Sequence, residues 1–219
     1  TPHGEAVAQL PLPPRLGHML IEGARLGLGE VAAEVAVLLG ERGLGGNDPD
    51  LDARLSRWRR ERGGRAESAR KLAARWARLA SPPACGRGLR GGDTDSAGGA
   101  AKDERPPPDP LRQAGGGVST CIALAFPDRV ARRRDASGEQ WASVGGRGFR
   151  LDPTASLARA EWLAVAETQG LAAGARILAA APIDAATVEA LFGDRIETRH
   201  QVSFDPATGG VQAVRERRL

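Results

Sequence analysis

Long apolar runs are missing from this chain. No stretch approaches the roughly 20 residues that span a bilayer, and no secretory signal opens it, so no membrane contact is expected and the expected location is the cytoplasm. Cysteine is scarce: Cys85 and Cys121 sit in no C-x-x-C and beside no histidine pair, which removes zinc-ribbon and thioredoxin-like readings. Nothing demands an oxidising compartment. The three histidines, His3, His18 and His200, are too dispersed for a metal-site motif. Two absences bear on catalysis. Without G-x-x-x-x-G-K-[ST] there is no loop of amides and lysine to cradle nucleotide phosphates, and without D-E-x-H nothing holds magnesium or orients water. Gly27-Leu28-Gly29 follows a helix, whereas a dinucleotide fold needs the glycines after a strand. No nucleophile elbow or triad signature occurs. The expectation is a chain with no catalytic residue, no metal and no cofactor of its own.

Tyrosine is absent and lysine is represented only by Lys71 and Lys102, yet Lys and Arg together number 31 against 27 acidic residues, for a formal charge of +4 and a pI near 10.0. The basic character is therefore almost all arginine. A GC-rich genome produces that skew; so does a surface for phosphate, which the planar guanidinium fork matches. Gly (29) and Pro (15) run high, so part of the 219 residues is expected to be linker.

The first eighty residues carry helical spacing. Pro13-Pro14 opens a segment with Leu16, Met19, Leu20 and Ala24 in register; Val31, Val35, Leu38 and Leu39 mark a second helix. Asn47-Asp48-Pro49-Asp50 supplies turn and cap residues for a third helix with Leu51, Leu55 and Trp58, and a fourth puts Ala69, Leu72, Trp76 and Leu79 on one face. Residues 81–117 hold Pro82-Pro83, Gly91-Gly92, Gly98-Gly99 and Pro106-Pro107-Pro108, which predicts a flexible linker. Beyond it, a short apolar helix is stopped by Pro127. Strand-like segments follow at 130–134, 141–144, 148–151, 162–167 and 176–181, then a helix capped by Asp184 and a hairpin of 195–204 with 211–219. The predicted class is α+β: a helical domain over 1–80, a linker over 81–117, and over 118–219 a small OB-like β-barrel with one helix, truncated at its C-terminus. Both ends of the chain read as cuts.

Arginine clusters in two places. From 57 to 78 there are nine basic residues, including Arg57, Arg59, Arg60, Arg62 and Arg65, against Glu61 and Glu67 only. The second cluster, Arg129, Arg132, Arg133 and Arg134, lies where the barrel should begin, with Arg147 nearby. A solvated face accounts for most charge runs. Alternation along a strand, however, presents Arg132 and Arg134 together and turns Arg133 away. The candidate nucleic-acid contacts are Arg129, Arg132, Arg133, Arg134, Arg147, Arg59 and Arg62, with Arg129 also able to brace the barrel against the helices through an ion pair. Trp58 and Trp76 lie on apolar faces and read as core; Trp141 and Trp162 fit a barrel interior better than a stacking platform.

Thr1-Pro2-His3-Gly4 followed by Leu10-Pro11-Leu12-Pro13-Pro14-Arg15-Leu16-Gly17-His18-Met19-Leu20 resembles the L-T-x-x-G-x-x-x-A-x-L-P-L-x-P-R-L-A-x-M-L segment with which DEAH-family helicases leave their winged-helix domain and enter the helical, ratchet-like domain. Ala123-Leu124-Ala125-Phe126-Pro127-Asp128-Arg129-Val130-Ala131-Arg132-Arg133-Arg134 is similar to the A-x-A-Y-P-D-R-I-A-x-x-R signature of the HrpB branch, and Gly145-Gly146-Arg147-Gly148 to its N-G-R-G turn. Glu161-Trp162-Leu163 and Leu191-Phe192-Gly193-Asp194-Arg195-Ile196 follow the same pattern. The departures are Phe126 in place of tyrosine and the Gly/Pro-rich 81–117, which is more regularly helical in the family. The resemblance implies an ATP-dependent 3′-to-5′ RNA helicase whose two RecA-like motor domains, with ATP and Mg, precede Thr1. This portion would bind the RNA backbone for that motor and be inactive alone. The alternatives are a stand-alone RNA-binding or adaptor module and a regulator using 29–42 within a helix-turn-helix.

Overall fold

The computed structural model describes residues 1–80, 116–171, 173–205 and 210–218. Five helices come first: α1 (Pro2–Ala8), α2 (Pro14–Arg25), α3 (Gly29–Gly40), α4 (Leu51–Arg60) and α5 (Gly64–Ala80). Their starts follow from local chemistry. Thr1 Oγ1 accepts from the Gly4 amide at 3.2 Å, Pro14 fills a first turn where no amide is needed, and Asp50 Oδ1 accepts from the amides of Asp52 and Ala53 at 2.9 and 3.2 Å. The expected linker lies outside the described residues from 81 to 115.

The stripe that α5 buries is Ala66, Ala69 and Ala73, small side chains that let it lie close on α3. Leu72 and Trp76 pack at the core's margin, but Leu79 is 54% exposed, so the expected four-residue face does not extend that far. Helix α3 is enclosed, with Ala32, Ala33, Val35, Ala36, Val37 and Leu38 all buried. A helix sunk this deep is unavailable as part of a DNA-reading helix-turn-helix, and 41–50 separates it from α4.

Helix α6 (Gly116–Ala125) buries Val118, Ser119, Thr120, Cys121, Ile122, Ala123 and Ala125. A helix apolar on all sides must be surrounded, and this one packs on α2 and α3 and also on two barrel strands. Burial pushes the Cys121 thiol up to about 12, making it an inert core residue.

A closed barrel follows: β1 (Val130–Arg133), β2 (Gln140–Ser143), β3 (Gly148–Arg150), β4 (Trp162–Gln169) and β5 (Ala173–Ile183). The strand order is β1-β2-β3-β5-β4, with β4 returning to β1 and β3 running parallel to β5. Period-2 alternation serves two cores at once. Leu163, Val165, Ile177 and Ala180 point into the barrel with Trp141 and Phe149, while Ala164, Ala166, Ala179 and Ala181 face the cluster that contains α6 and the N-terminal helices. Trp141 is fully buried and donates from Nε1 to the Gly138 carbonyl at 2.8 Å. Gly138 has φ +76°, and a Cβ there would fall 2.1 Å from Ala158 O, so the turn into β2 admits only glycine.

Asp184 Oδ1 caps α7 (Ala185–Phe192) from the Thr187 amide at 2.6 Å. The last strands, β6 (Glu197–Asp205) and β7 (Gly210–Arg218), pair with each other as a separate two-stranded sheet. Read from sequence, this hairpin counts toward the barrel. Five strands already close it, which leaves no open edge for a sixth. The seam between helices and barrel is also stitched by the loop before α4: the Ala180 amide donates to Pro49 O at 2.8 Å, and Ser156 Oγ to Asp50 Oδ2 at 3.3 Å.

Burial, with the Asp50 carboxylate beside it and Arg59 opposing, pushes the Asp52 carboxyl up to about 6. Its unfolded value is about 3.9, so the folded state holds that proton more tightly. Stability from this group is then full below about pH 4 and is lost as the pH rises to about 6. Asp52→Asn should remove the loss, raising stability at neutral pH by up to about 3 kcal/mol, less the ~0.3–1 kcal/mol that an anion gains at a helix N-terminus. Urea melts at acid and neutral pH check this; a variant no more stable than wild type at neutral pH contradicts it.

Candidate nucleic-acid interface

Because β4 and β5 turn one side of the barrel to α6, with Val130 of β1 in the same core, the outward faces of β2, β3 and the far end of β1 are left to solvent. Their register lines up the basic residues. Arg132 pairs across to Ala142 and then Gly148; Gln140 pairs to Arg150, which neighbours Arg176 on β5. Arg132, Arg134, Arg147, Arg150 and Arg176 are all exposed, and Ala142 and Gly148 keep the floor between them low. Arg134, Arg147 and Arg150 border a depression of about 640 Å³.

Not all of this charge is free. Arg150 is held by Glu139, and Arg132 by Glu161 at 3.1 Å while lying 5.4 Å above the Trp162 ring. Arg134, Arg147 and Arg176 have no ion pair among the described residues. Arg133 turns inward, as alternation requires, and donates from Nη1 to the carbonyls of Ala158 and Arg159, both at 3.3 Å. Arg150 and Arg176 were missed in the sequence, although Phe149-Arg150-Leu151 and Ala175-Arg176-Ile177 show the in-out-in pattern that would have found them.

Arg129 belongs to the seam. Its Nη1 donates to Ala166 O at 2.7 Å, its guanidinium lies 4.6 Å from the Phe126 ring centroid, and burial lowers its pKa. The ion pair expected of it is made instead by Arg15 of α2, which meets Asp128 at 2.8 Å and approaches the same ring at 5.4 Å. The 3-10 turn at Pro127–Arg129 separates the two side chains. Phe126 thus offers its ring to two cations, a role that needs no hydroxyl.

The helical cluster is largely spoken for. Arg59 grips Glu34 at 3.1 and 2.5 Å, and the hydrogen bond to Glu34 holds its pKa above the ordinary value. Arg57 meets Asp48 at 2.8 Å, Arg65 donates to Arg42 O, and Arg70 donates to the carbonyls of Trp58 and Glu61. The acceptors Glu34, Asp48 and Arg42 lie outside 57–78, so a census of that stretch overstates its free charge. Arg62, Arg75 and Arg78 stay exposed without an ion pair among the described residues.

Two further features join residues far apart in the sequence. A cleft of about 860 Å³ runs along the seam, bordered by Arg42, Asn47, Arg54, Arg129, Thr168 and Gln169. Arg54 is 7% exposed, donates to Leu38 O at 3.3 Å, and its Nε has no hydrogen-bond partner among the described residues. Helix α1, absent from the sequence expectations, folds back on α2 and sets His3 Nε2 2.8 Å from His18 Nδ1. Dispersal along the chain was therefore a poor guide to these histidines. Burial, then His3, lowers the His18 pKa against the pull of Glu22.

No protein-family model and no curated protein matches this chain. Among solved structures, the E. coli DExH-box NTPase HrpB is similar over 99% of the chain, at 25% identity and a TM-score of 0.67. A second structure, of the Escherichia coli DEAH/RHA helicase HrpB, is similar over 100% of it, at 24% identity and a TM-score of 0.67. The chain spans 23% of the length of each. The resemblance drawn from the two anchor motifs is met in structure: over its whole length, this chain is similar to a portion of an HrpB-type helicase.

Arg129→Ala would strip a charged donor from the buried Ala166 carbonyl and should cost about 1.5–3 kcal/mol in urea unfolding. Arg134→Ala, on the open face, should stay within about 0.5 kcal/mol of wild type. Equal effects at the two positions would contradict this division of labour.

Proposed function

We propose that this chain is the accessory, RNA-handling part of an HrpB-type helicase, with the outward face of β1–β3 tracking the RNA backbone for a motor elsewhere in the same protein. The observation that carries this reading is the arginine face itself: Arg134 and Arg147, with Arg176 from the exposed end of β5 beside Arg150, make no ion pair among the described residues and stand around a low floor of Ala142 and Gly148. A five-stranded closed barrel of this kind fits the OB type, in which the face of strands 2 and 3 receives oligonucleotides. Helices α1–α5 correspond in this reading to the ratchet-like domain, 81–117 to a linker and 118–219 to the barrel portion, with α6 built into the helical core.

The reaction would belong to the whole protein: RecA-like domains binding ATP and Mg in the cytoplasm, stepping 3′ to 5′. This chain supplies no bond-breaking group to that reaction. Its contribution is electrostatic restraint of the strand. Of the candidate contacts, Arg134 and Arg147 are the foremost, Arg132 joins once RNA phosphate competes with Glu161, and Arg62 offers a lesser contact on the helical side. Arg129, Arg133 and Arg59 act through the structure they brace. Phosphate contacts carry no sequence information, so binding should be broadly sequence-independent.

Anisotropy titrations of a labelled single-stranded RNA across salt concentrations test this. Arg134→Ala with Arg147→Ala should lower the log-affinity against log-salt slope by about 0.7 per lost contact, and Arg59→Ala should leave it unchanged. A folded double variant with the wild-type slope would place the RNA elsewhere.

A further inference from the structure

Helix α1 completes a cluster that neither helix has alone. His18 and Glu22 are one turn apart on α2 and project from one face. His3 arrives from α1, with Nε2 2.8 Å from His18 Nδ1 and Nδ1 3.3 Å from Glu22 Oε1. One potential ligand atom from each residue lies within 4.8 Å of the other two, and all three residues are partly buried. The two rings meet edge to face, at 77°.

The protons in this cluster do not balance well. A neutral imidazole carries one N–H. If His3 donates from Nε2 to His18, its Nδ1 lone pair faces the Glu22 carboxylate. If His18 donates instead, the His3 N–H lies at Nδ1, which is buried and makes no hydrogen bond among the described residues despite its closeness to Glu22. With both rings neutral, either arrangement leaves a buried polar atom poorly matched; only a charged His3 would donate to both partners. A cation held by one nitrogen of each ring and by the Glu22 carboxylate would take the place of the shared proton, with the second His3 nitrogen carrying the N–H.

We propose that His3, His18 and Glu22 form a zinc site that clamps α1 onto α2. Two imidazoles with one carboxylate are a ligand set for zinc, whereas magnesium and calcium take oxygen ligands. Zinc–nitrogen bonds of about 2.0–2.1 Å set tetrahedral ligands roughly 3.3 Å apart, so the two rings open by about half an ångström. The fourth position is left to water, on the side where His18 and Glu22 border a depression shared with Arg15, Asp128, Phe192 and Arg195. Arg25 holds Glu22 Oε1 at 2.6 Å, and Arg195 acts on His18. These two positive charges oppose a cation, so the site binds zinc less tightly than a four-ligand structural site does. The site stands on the α1–α2 geometry and is independent of RNA binding.

Titration of the full chain with zinc chloride against a chromophoric chelator tests the site. Binding is expected at one zinc per chain, with a raised thermal midpoint. His3→Ala, His18→Ala and Glu22→Gln should each weaken binding by about tenfold or more, while His200→Ala should leave it intact. Cobalt(II) bound to the wild-type chain should show the visible absorption of a tetrahedral ion, a readout that does not depend on the variants folding. The proposal is overturned by a wild-type chain that binds neither ion, or by a folded His3→Ala/His18→Ala variant that keeps full affinity.

Discussion

Everything in this structure is arranged around the need to enclose α6. Its residues are small or apolar on every side, so leaving any face wet would expose a surface that should be buried. Helices α2 and α3 cover one side, and β4 and β5 cover the other. That requirement explains the alanines on the strands: Ala164, Ala166, Ala179 and Ala181 make β4 and β5 flat toward the helix, while Leu163, Val165 and Ile177 fill the barrel. It also orients the barrel. With β4, most of β5 and the start of β1 committed to the helices, the faces of β2, β3 and the end of β1 are left to solvent, and there, with Arg176 from the exposed end of β5, the arginines stand.

The arginines divide by what they would lose. An exposed ion pair contributes at most about 1 kcal/mol, so Arg132 can exchange Glu161, and Arg150 can exchange Glu139, for a phosphate at little cost. Arg129 is different: its partner is a carbonyl on a buried strand residue, and no phosphate replaces that bond without opening the seam. Arg54 and Arg133 are likewise held by backbone carbonyls. The open face therefore does not contain the whole 129–134 cluster. It holds the alternate members of that cluster, joined by Arg147, Arg150 and Arg176 from other elements.

This division marks what the sequence could and could not reveal. The helix starts at Pro14 and Asp50, the cap at Asp184 and the inward turn of Arg133 are each set by neighbours a few residues away, and each was legible. What depended on distant partners was not. Arg59 looked free because Glu34 is twenty-five residues off. His3 and His18 looked unrelated because α1 gave no periodic signal of its own in seven residues. Helix α6 reads as a short helix grouped with the barrel domain, although its apolar surface is shared with α2 and α3. The final hairpin read as barrel because alternation marks strands without saying which sheet they join.

The central claim is that RNA lies on the outward face of β1–β3, away from the helix-covered side. Photocrosslinking of the full chain to a single-stranded RNA carrying 4-thiouridine, followed by mass spectrometry of the crosslinked peptides, tests it most directly. Crosslinks should concentrate on residues 132–150 and around Arg176, with few on the outer face of α5. Crosslinks confined to α4 and α5, or spread evenly over the basic surface, would contradict it.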